Sequence, residues 1–184
     1  MTDRCFWAKD ALNIEYHDNE WGRPQHDDKK LFEFIILEGA QAGLTWTTIL
    51  KRREGYLKAF SNFDPLKVSK YSSKNIEKLL DNPEIIRNKL KINSAINNAK
   101  QFLQIQKEFG SFDKYIWSFV DHSPILNKFK NHSKLPPSTK ISEKMSNDLK
   151  KHGFTFVGPT ICYAFMQAMG MVNDHTANCF LHKK

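Results

Sequence analysis

Residues 142–170 read SEKMSNDLKKH followed by GFTFVGPTICYAFMQAMG, and this stretch decides the fold. The first part is patterned as a helix, Gly153 and Gly158 bracket a short turn, and Pro159 stands where a helix tolerates a missing N–H. The reading is helix, hairpin, helix over about 143–170. Amides at the start of the second helix, around Thr160, then lack intrahelical partners and face outward, which suits a bound phosphate. Lys150 and Lys151 add cationic charge beside the same point. An ordinary helical hairpin whose glycines only make the turn fits the same spacing.

Helical patterns extend outward on both sides. Leu31, Phe32, Ile35, Ile36 and Leu37 recur at helical spacing within Lys29 to Gln41; Gly43 interrupts, and Thr45 can cap a second helix through Trp46, Ile49 and Leu50. Asp64-Pro65 supplies an N-cap and a first-turn proline, and Ser72 or Ser73 can open the next helix. A long amphipathic pattern runs from Ile85 to Phe109 and ends at Gly110, and a further helix is expected through Tyr115, Ile116, Phe119 and Val120. Ser123 to Thr139, with Pro136-Pro137, reads as a surface connection. Strand patterns are scarce, so the expected class is all-α.

The length of 184 residues suits one domain, 1–184, with a substantial core. No apolar run approaches the roughly 18 residues needed to cross a bilayer, and MTDRCFWAKD lacks the apolar stretch of a signal peptide. A soluble cytoplasmic protein, monomeric and without a membrane partner, is expected. The balance of 28 Lys and Arg against 20 Asp and Glu gives a net charge of +8, which fits a polyanion and fits mere solubility as well.

Three cysteines make no disulfide framework, and in a reducing compartment paired Cys and His read better as metal ligands. His175 and Cys179 stand in H-x3-C spacing within VNDHTANCF, and a helical turn there would put both on one face. With Cys5 and His17 they would form a closed Cys2His2 set, one zinc per chain, leaving no position for a catalytic water and joining the two termini. A core cysteine with surface histidines is the competing reading. Cys162, between Ile161 and Tyr163, reads as a buried small hydrophobe. His26, His122, His132, His152 and His182 match no ligand spacing and receive no role.

Aromatic residues cluster near these positions: Trp7 follows Cys5, Tyr16 precedes His17, Trp21 follows it, and Trp46 opens the helix after Gly43. Glu38, in IILEGAQAGL, sits within an apolar stretch where a carboxylate is costly to bury. A solvated helix position is its alternative.

EYHDNEWGRP, LFEFIILEGAQAGLTWTTILKRRE, GFTFVGPTICYAFMQAMG and VNDHTANCF, in that order behind Cys5, resemble the 3-methyladenine DNA glycosylase I family from end to end. The resemblance implies a helix-hairpin-helix glycosylase fold with a structural zinc held by Cys5, His17, His175 and Cys179. It implies excision of 3-methyladenine from double-stranded DNA in a bacterial cytoplasm. By the same token Trp7, Tyr16, Trp21, Glu38 and Trp46 line the pocket for the flipped base, with Glu38 as the catalytic-site acceptor, and Gly43-Leu44 wedges into the duplex. On the residues of the hairpin itself, Lys150, Lys151, Gly153, Gly158 and Thr160 are the expected DNA contacts. Asn13 departs from the pattern, standing where some relatives have an aromatic residue. Asp174, beside a zinc ligand, reads as a supporting or capping group rather than a general catalyst. A zinc-stabilised DNA-binding module without activity would explain charge, hairpin and metal but not Glu38. A catalytic-zinc deaminase would need H-x-E and P-C-x-x-C, and neither occurs.

Overall fold

The computed structural model describes residues 3–182. Helices α1 (Ala11–Asn19), α2 (Asp28–Gln41), α3 (Trp46–Ala59), α4 (Pro65–Val68), α5 (Ser73–Asp81), α6 (Lys89–Phe109), α7 (Phe112–Trp117), α8 (Lys140–Lys151) and α9 (Pro159–Ala168) follow one another in the chain. Among the described residues the only strands are two-residue pieces, β1 (Ile125–Leu126) and β2 (Val172–Asn173), paired in parallel. The class is all-α. No helix among these residues is long and apolar enough to cross a membrane.

The centre of the molecule is α2, whose residues from Leu31 to Ala40 are all buried. Such a helix needs cover on every side, and α3, α6, α7 and α9 provide it. Its neighbours start where the sequence places polar caps. Thr45 accepts from the Thr48 amide, Asp64 accepts from Leu66 and Lys67 ahead of Pro65, and Ser72 forms a capping box with Asn75.

Three expectations are corrected. The helix expected from Ile85 begins at Lys89, because extended Asn88 caps it by accepting from the Lys91 amide, and Ile85 instead buries itself in the preceding turn. The helix expected through Val120 closes as a 3-10 turn over Ser118–Val120, ended by left-handed Asp121. VNDHTANCF is not helical: it begins as β2 and then turns, with the Cys179 amide donating to Thr176 O at 2.7 Å. The connection 123–139 lies on the surface as expected, yet β1 fastens its start to β2. Helix α1 carries no apolar stripe to mark it in the sequence; Asp10 caps it by accepting from the Asn13 amide.

The hairpin between α8 and α9 is braced from inside. Phe154 and Val157 are buried, Ser146 Oγ donates to Val157 O at 2.6 Å, and the Asn98 amide both accepts from Thr155 N and donates to Thr155 O at 2.9 Å. Gly153, at φ +83°, makes the turn after α8. Gly158 caps α9 without a side-chain hydrogen bond, and Thr160, Lys150 and Lys151 are exposed around it.

Candidate active site and metal centre

Four ligand atoms, from Cys5, His17, His175 and Cys179, lie within 4.8 Å of one another, all on buried residues. Cys5 Sγ stands 3.5 Å from His175 Nδ1, and Cys179 Sγ stands 3.4 Å from both His17 Nε2 and His175 Nδ1. A tetrahedral ion with Zn–S near 2.3 Å and Zn–N near 2.05 Å sets its S···N edges at about 3.6 Å. The cluster therefore has the size of such a site. Its donor chemistry agrees: burial pushes the Cys5 thiol up to about 12 and His175 down to about 4, so the imidazole is neutral and the thiol needs a cation to ionise.

Surrounding groups orient both imidazoles. His17 Nδ1 lies 2.8 Å from Asp18 Oδ1, while Arg4 grips the same carboxylate with contacts of 2.7–3.0 Å. His175 Nε2 lies 3.2 Å from Trp21 O. In each ring the outward nitrogen faces an acceptor and so carries the proton, which leaves the inward lone pair for a metal. Gly22 permits the second contact, since a Cβ there would meet His175 Nε2 at 2.8 Å. The helix expected for H-x3-C is absent, but the turn converges the same two atoms.

Aromatic packing carries this order into a cavity of about 320 Å3. The ring of Trp21 meets His175 edge-on at 4.7 Å, Trp7 meets His17 at 5.3 Å and Trp21 at 5.1 Å, and Tyr16 lies 5.3 Å from Trp46. Trp7, Tyr16, Trp21, Glu38 and Trp46 all line that one cavity. Glu38 is 4% exposed and makes no hydrogen bond or ion pair to any described residue. Burial raises its pKa to about 8. Glu38 thus sits in the cavity wall and not on a solvated helix face. Trp46 Nε1 is likewise buried without a partner among the described residues, and burial together with the nearby Glu38 holds the Tyr16 phenol well above its ordinary pKa.

Apart from Asn13, a departure from the family pattern, the rest of the wall carries no signal in the sequence. Asn13, Gln41, Thr47, His132, Leu135, Ala164 and Gln167 complete it. His132, which has no role by its spacing, arrives on the 123–139 connection and packs at 5.7 Å against Phe6. Lys128, Lys130 and Lys134 are exposed on the same segment. Gly43 and Leu44 form an exposed tip, with Gly43 at φ +77° and open space where a side chain would be. Lys91, equally silent in the sequence, steadies that tip by donating to Ala40 O at 2.8 Å and Ala42 O at 2.6 Å. Asp174 is no free base: it accepts from Tyr163, Gln167 and Asn127. The hairpin lysines lie outside the cavity wall, but α9 runs from the hairpin to Ala164 and Gln167 on it.

The family model for methyladenine glycosylase matches residues 7–182. The chain belongs to the methyladenine glycosylase family. The DNA-3-methyladenine glycosylase 1 of Escherichia coli K12 is 49% identical over 178 residues, covering 96% of this chain and 95% of that one. The DNA-3-methyladenine glycosylase of Haemophilus influenzae is 47% identical over 180 residues, 97% of each. Among solved structures, a tyrosine-to-phenylalanine variant of 3-methyladenine DNA glycosylase I in complex with 3-methyladenine superposes with a TM-score of 0.95 at 35% identity, covering all of this chain and 98% of that one. The all-α architecture and the convergence of the termini on one ligand cluster are thus set in a methyladenine glycosylase.

Proposed function

We propose that this protein hydrolyses the N-glycosidic bond of 3-methyladenine in alkylated double-stranded DNA, with Glu38 reading the flipped base. The observation that carries the proposal is the Glu38 carboxyl, buried in the wall of an aromatic cavity without a partner among the described residues. Methylation at N3 makes the base a delocalised cation with a weakened bond to the sugar, so little help is needed at the leaving group. The protein's task is to extract the base, at a cost of a few kcal/mol, and to hold it. The faces of Trp7, Tyr16, Trp21 and Trp46 favour a cationic ring by roughly 0.5–2 kcal/mol per contact. Glu38 accepts from the exocyclic amino group, and the arriving cation favours its ionised form. The names of the relatives support the same substrate. A non-catalytic DNA-binding module gives the unpartnered carboxyl no purpose.

Zinc is the ion proposed for the four-ligand cluster, because two thiolates and two neutral imidazoles in a closed tetrahedron are its preferred structural set. When bound it supplies no reacting atom. It joins the segment before α1 to the one after β2, and so fixes His17 and, through it, the adjacent Tyr16.

For docking we propose the hairpin, with Gly153, Gly158 and Thr160 offering backbone and Lys150 and Lys151 charge, together with Leu44 as a wedge beside Gly43. The protein acts as a monomer of one domain, in the bacterial cytoplasm. Lys150→Ala combined with Lys151→Ala is expected to weaken duplex binding whatever the sequence, and to make the plot of log affinity against log salt shallower by about 0.9 for each phosphate no longer neutralised. An unchanged slope would move the docking surface elsewhere. Release of 3-methyladenine from methylated DNA by the purified protein tests the activity itself, and its absence at stoichiometric enzyme overturns the proposal.

A further inference from the structure

Around the cavity, several cations are already engaged. Arg4 is bound to Asp18, Arg53 and Lys30 share Glu20 and Glu33, and Lys91 is held by the carbonyls of Ala40 and Ala42. Four lysines at the edge carried by His132 and Phe6 are not. Lys128, Lys130 and Lys134 lie on the connection that brings His132 and Leu135 to the cavity wall, and Lys9 lies on the segment that brings Trp7. All four are exposed, and none makes an ion pair with a described residue. From His122 to Ser142 the chain holds no acidic residue, so nothing along this connection offsets the charge.

The edge is fastened to the segment that carries His175 and Cys179. Ile125 N donates to Met171 O at 3.0 Å, Asn127 N donates to Asn173 O at 3.1 Å, and Phe129 O accepts from Ala177 N at 2.9 Å. An extended run puts alternate side chains on opposite faces, and burial alternates to match. Ile125, Asn127 and Phe129 are half-buried, while Leu126, Lys128 and Lys130 are exposed. Lys134 closes a 3-10 turn over His132–Lys134 and stands directly between the two wall residues His132 and Leu135 in the chain. Phe6 joins the N-terminal segment to this edge by packing on His132, and Lys9 Nζ lies 3.9 Å from the centroid of its ring. Such a contact steadies an ammonium without consuming its N–H donors.

Along α9 this edge and the hairpin stand at opposite ends. Gln167, in the last turn of α9, donates to Asp174 at 2.7 Å, and Asp174 accepts from Asn127 at 2.7 Å. Ten residues at about 1.5 Å each separate the two ends by about 15 Å, the axial length of about four nucleotides at roughly 3.4 Å each. We infer that Lys9, Lys128, Lys130 and Lys134 form a second phosphate grip, which holds the strand carrying the flipped nucleotide on the other side of that nucleotide from the hairpin. The inference rests on the glycosylase reading and on the hairpin as the first grip. Extruding a nucleotide draws the phosphates of its strand toward the cavity mouth, and a strand held on one side alone is free to swing back into the stack. Cations on both sides oppose that return without touching the base.

The test uses the full chain and a duplex carrying a tetrahydrofuran abasic analogue, which has no base to release. Lys9→Ser, Lys128→Ser, Lys130→Ser and Lys134→Ser combined should make the plot of log affinity against log salt shallower by about two to four, at roughly 0.9 for each phosphate no longer neutralised. Arginine at the same four positions should keep the original slope. Lys70→Ser, Lys74→Ser, Lys78→Ser and Lys107→Ser remove equal charge from exposed positions off the cavity wall, and should change the slope by less than about one. Neutral methylphosphonate linkages, placed singly along the analogue's strand, locate the grip. Those that weaken binding by the unmodified protein but not by the serine variant should lie within about four nucleotides of the analogue. They should fall on the other side of it from those silenced by Lys150→Ala with Lys151→Ala. A shift below about two, an equal shift from the control set, or an arginine set that behaves like serine overturns the inference. So do silenced linkages on the hairpin's side of the analogue. Failure of the unmodified protein to release base from methylated DNA strikes instead at the glycosylase reading.

Discussion

Replacing Cys179 with alanine is expected to empty the four-ligand cluster and to cause the largest loss of stability of any single exchange considered. The apparent binding energy of a structural zinc site is about 10–16 kcal/mol, and a folded state that depends on the ion loses much of that when one thiolate is removed. Even a net loss of about 4 kcal/mol would lower Tm by roughly 8–16 °C in a chain of this size. The effect should radiate from the ligands. His17 and His175 pack against Trp7 and Trp21, which line the cavity, so their loosening reaches the pocket while α2, buried by its helical neighbours, stays folded. Cys162→Ala is the matched control: that thiol is also buried, but it lies outside the cluster and its Sγ donates to Val157 O at 3.4 Å. It should keep the ion and cost about 1 kcal/mol or less from lost burial. Elemental analysis and thermal melting, with and without a chelator, check both variants. A Cys179→Ala protein that retains stoichiometric metal and its full Tm would show that the cluster is not a structural zinc site.

How much of this is legible in the chain depends on whether a residue's role is written in its neighbours along it. Thr45, Asp64-Pro65 and Ser72 announce helix starts because a cap acts within three residues of itself, and Glu38 stands out because an apolar run surrounds it. The ligand pair His175 and Cys179 is legible by spacing although the expected helix does not form, since a tight turn also brings residues four apart together. His132, Gln167 and Lys91 are not legible. His132 reaches the cavity because β1 pairs with β2 some 47 residues later in the chain, Gln167 is ordered by Asp174, and Lys91 works on the carbonyls of a helix end 49 and 51 residues away. Asn13 stands out as a departure from the family pattern, but its consequence depends on which acceptors Asp10 and Thr47 present to its hydrogens.

Glu38→Gln should separate the chemistry of the pocket from the stability of the fold, because the two respond in opposite directions. Excision of 3-methyladenine should slow by roughly 10- to 100-fold, the range expected when a hydrogen bond to a charged group worth about 1.5–3 kcal/mol is lost. Stability should rise, with a pH signature fixed by the raised pKa. The Glu38 carboxyl titrates near 8 in the folded protein against a reference of 4.5, with burial as the cause. Between those values the folded state holds a proton that the unfolded chain has released, so the stability of the unmodified protein falls as pH rises through the window, by up to about 5 kcal/mol from linkage. The group's contribution is therefore fully present below pH 4.5 and lost by pH 8. Glutamine does not titrate. The Tm of the variant relative to the unmodified protein should accordingly be near zero difference at pH 4.5, grow in its favour up to pH 8, and stay level above that. Melting curves across this range, paired with single-turnover excision, test both halves at once. Unaltered excision would remove Glu38 from the reading of the base, and a pH-independent Tm difference would mean that the carboxyl is solvated in the folded protein after all.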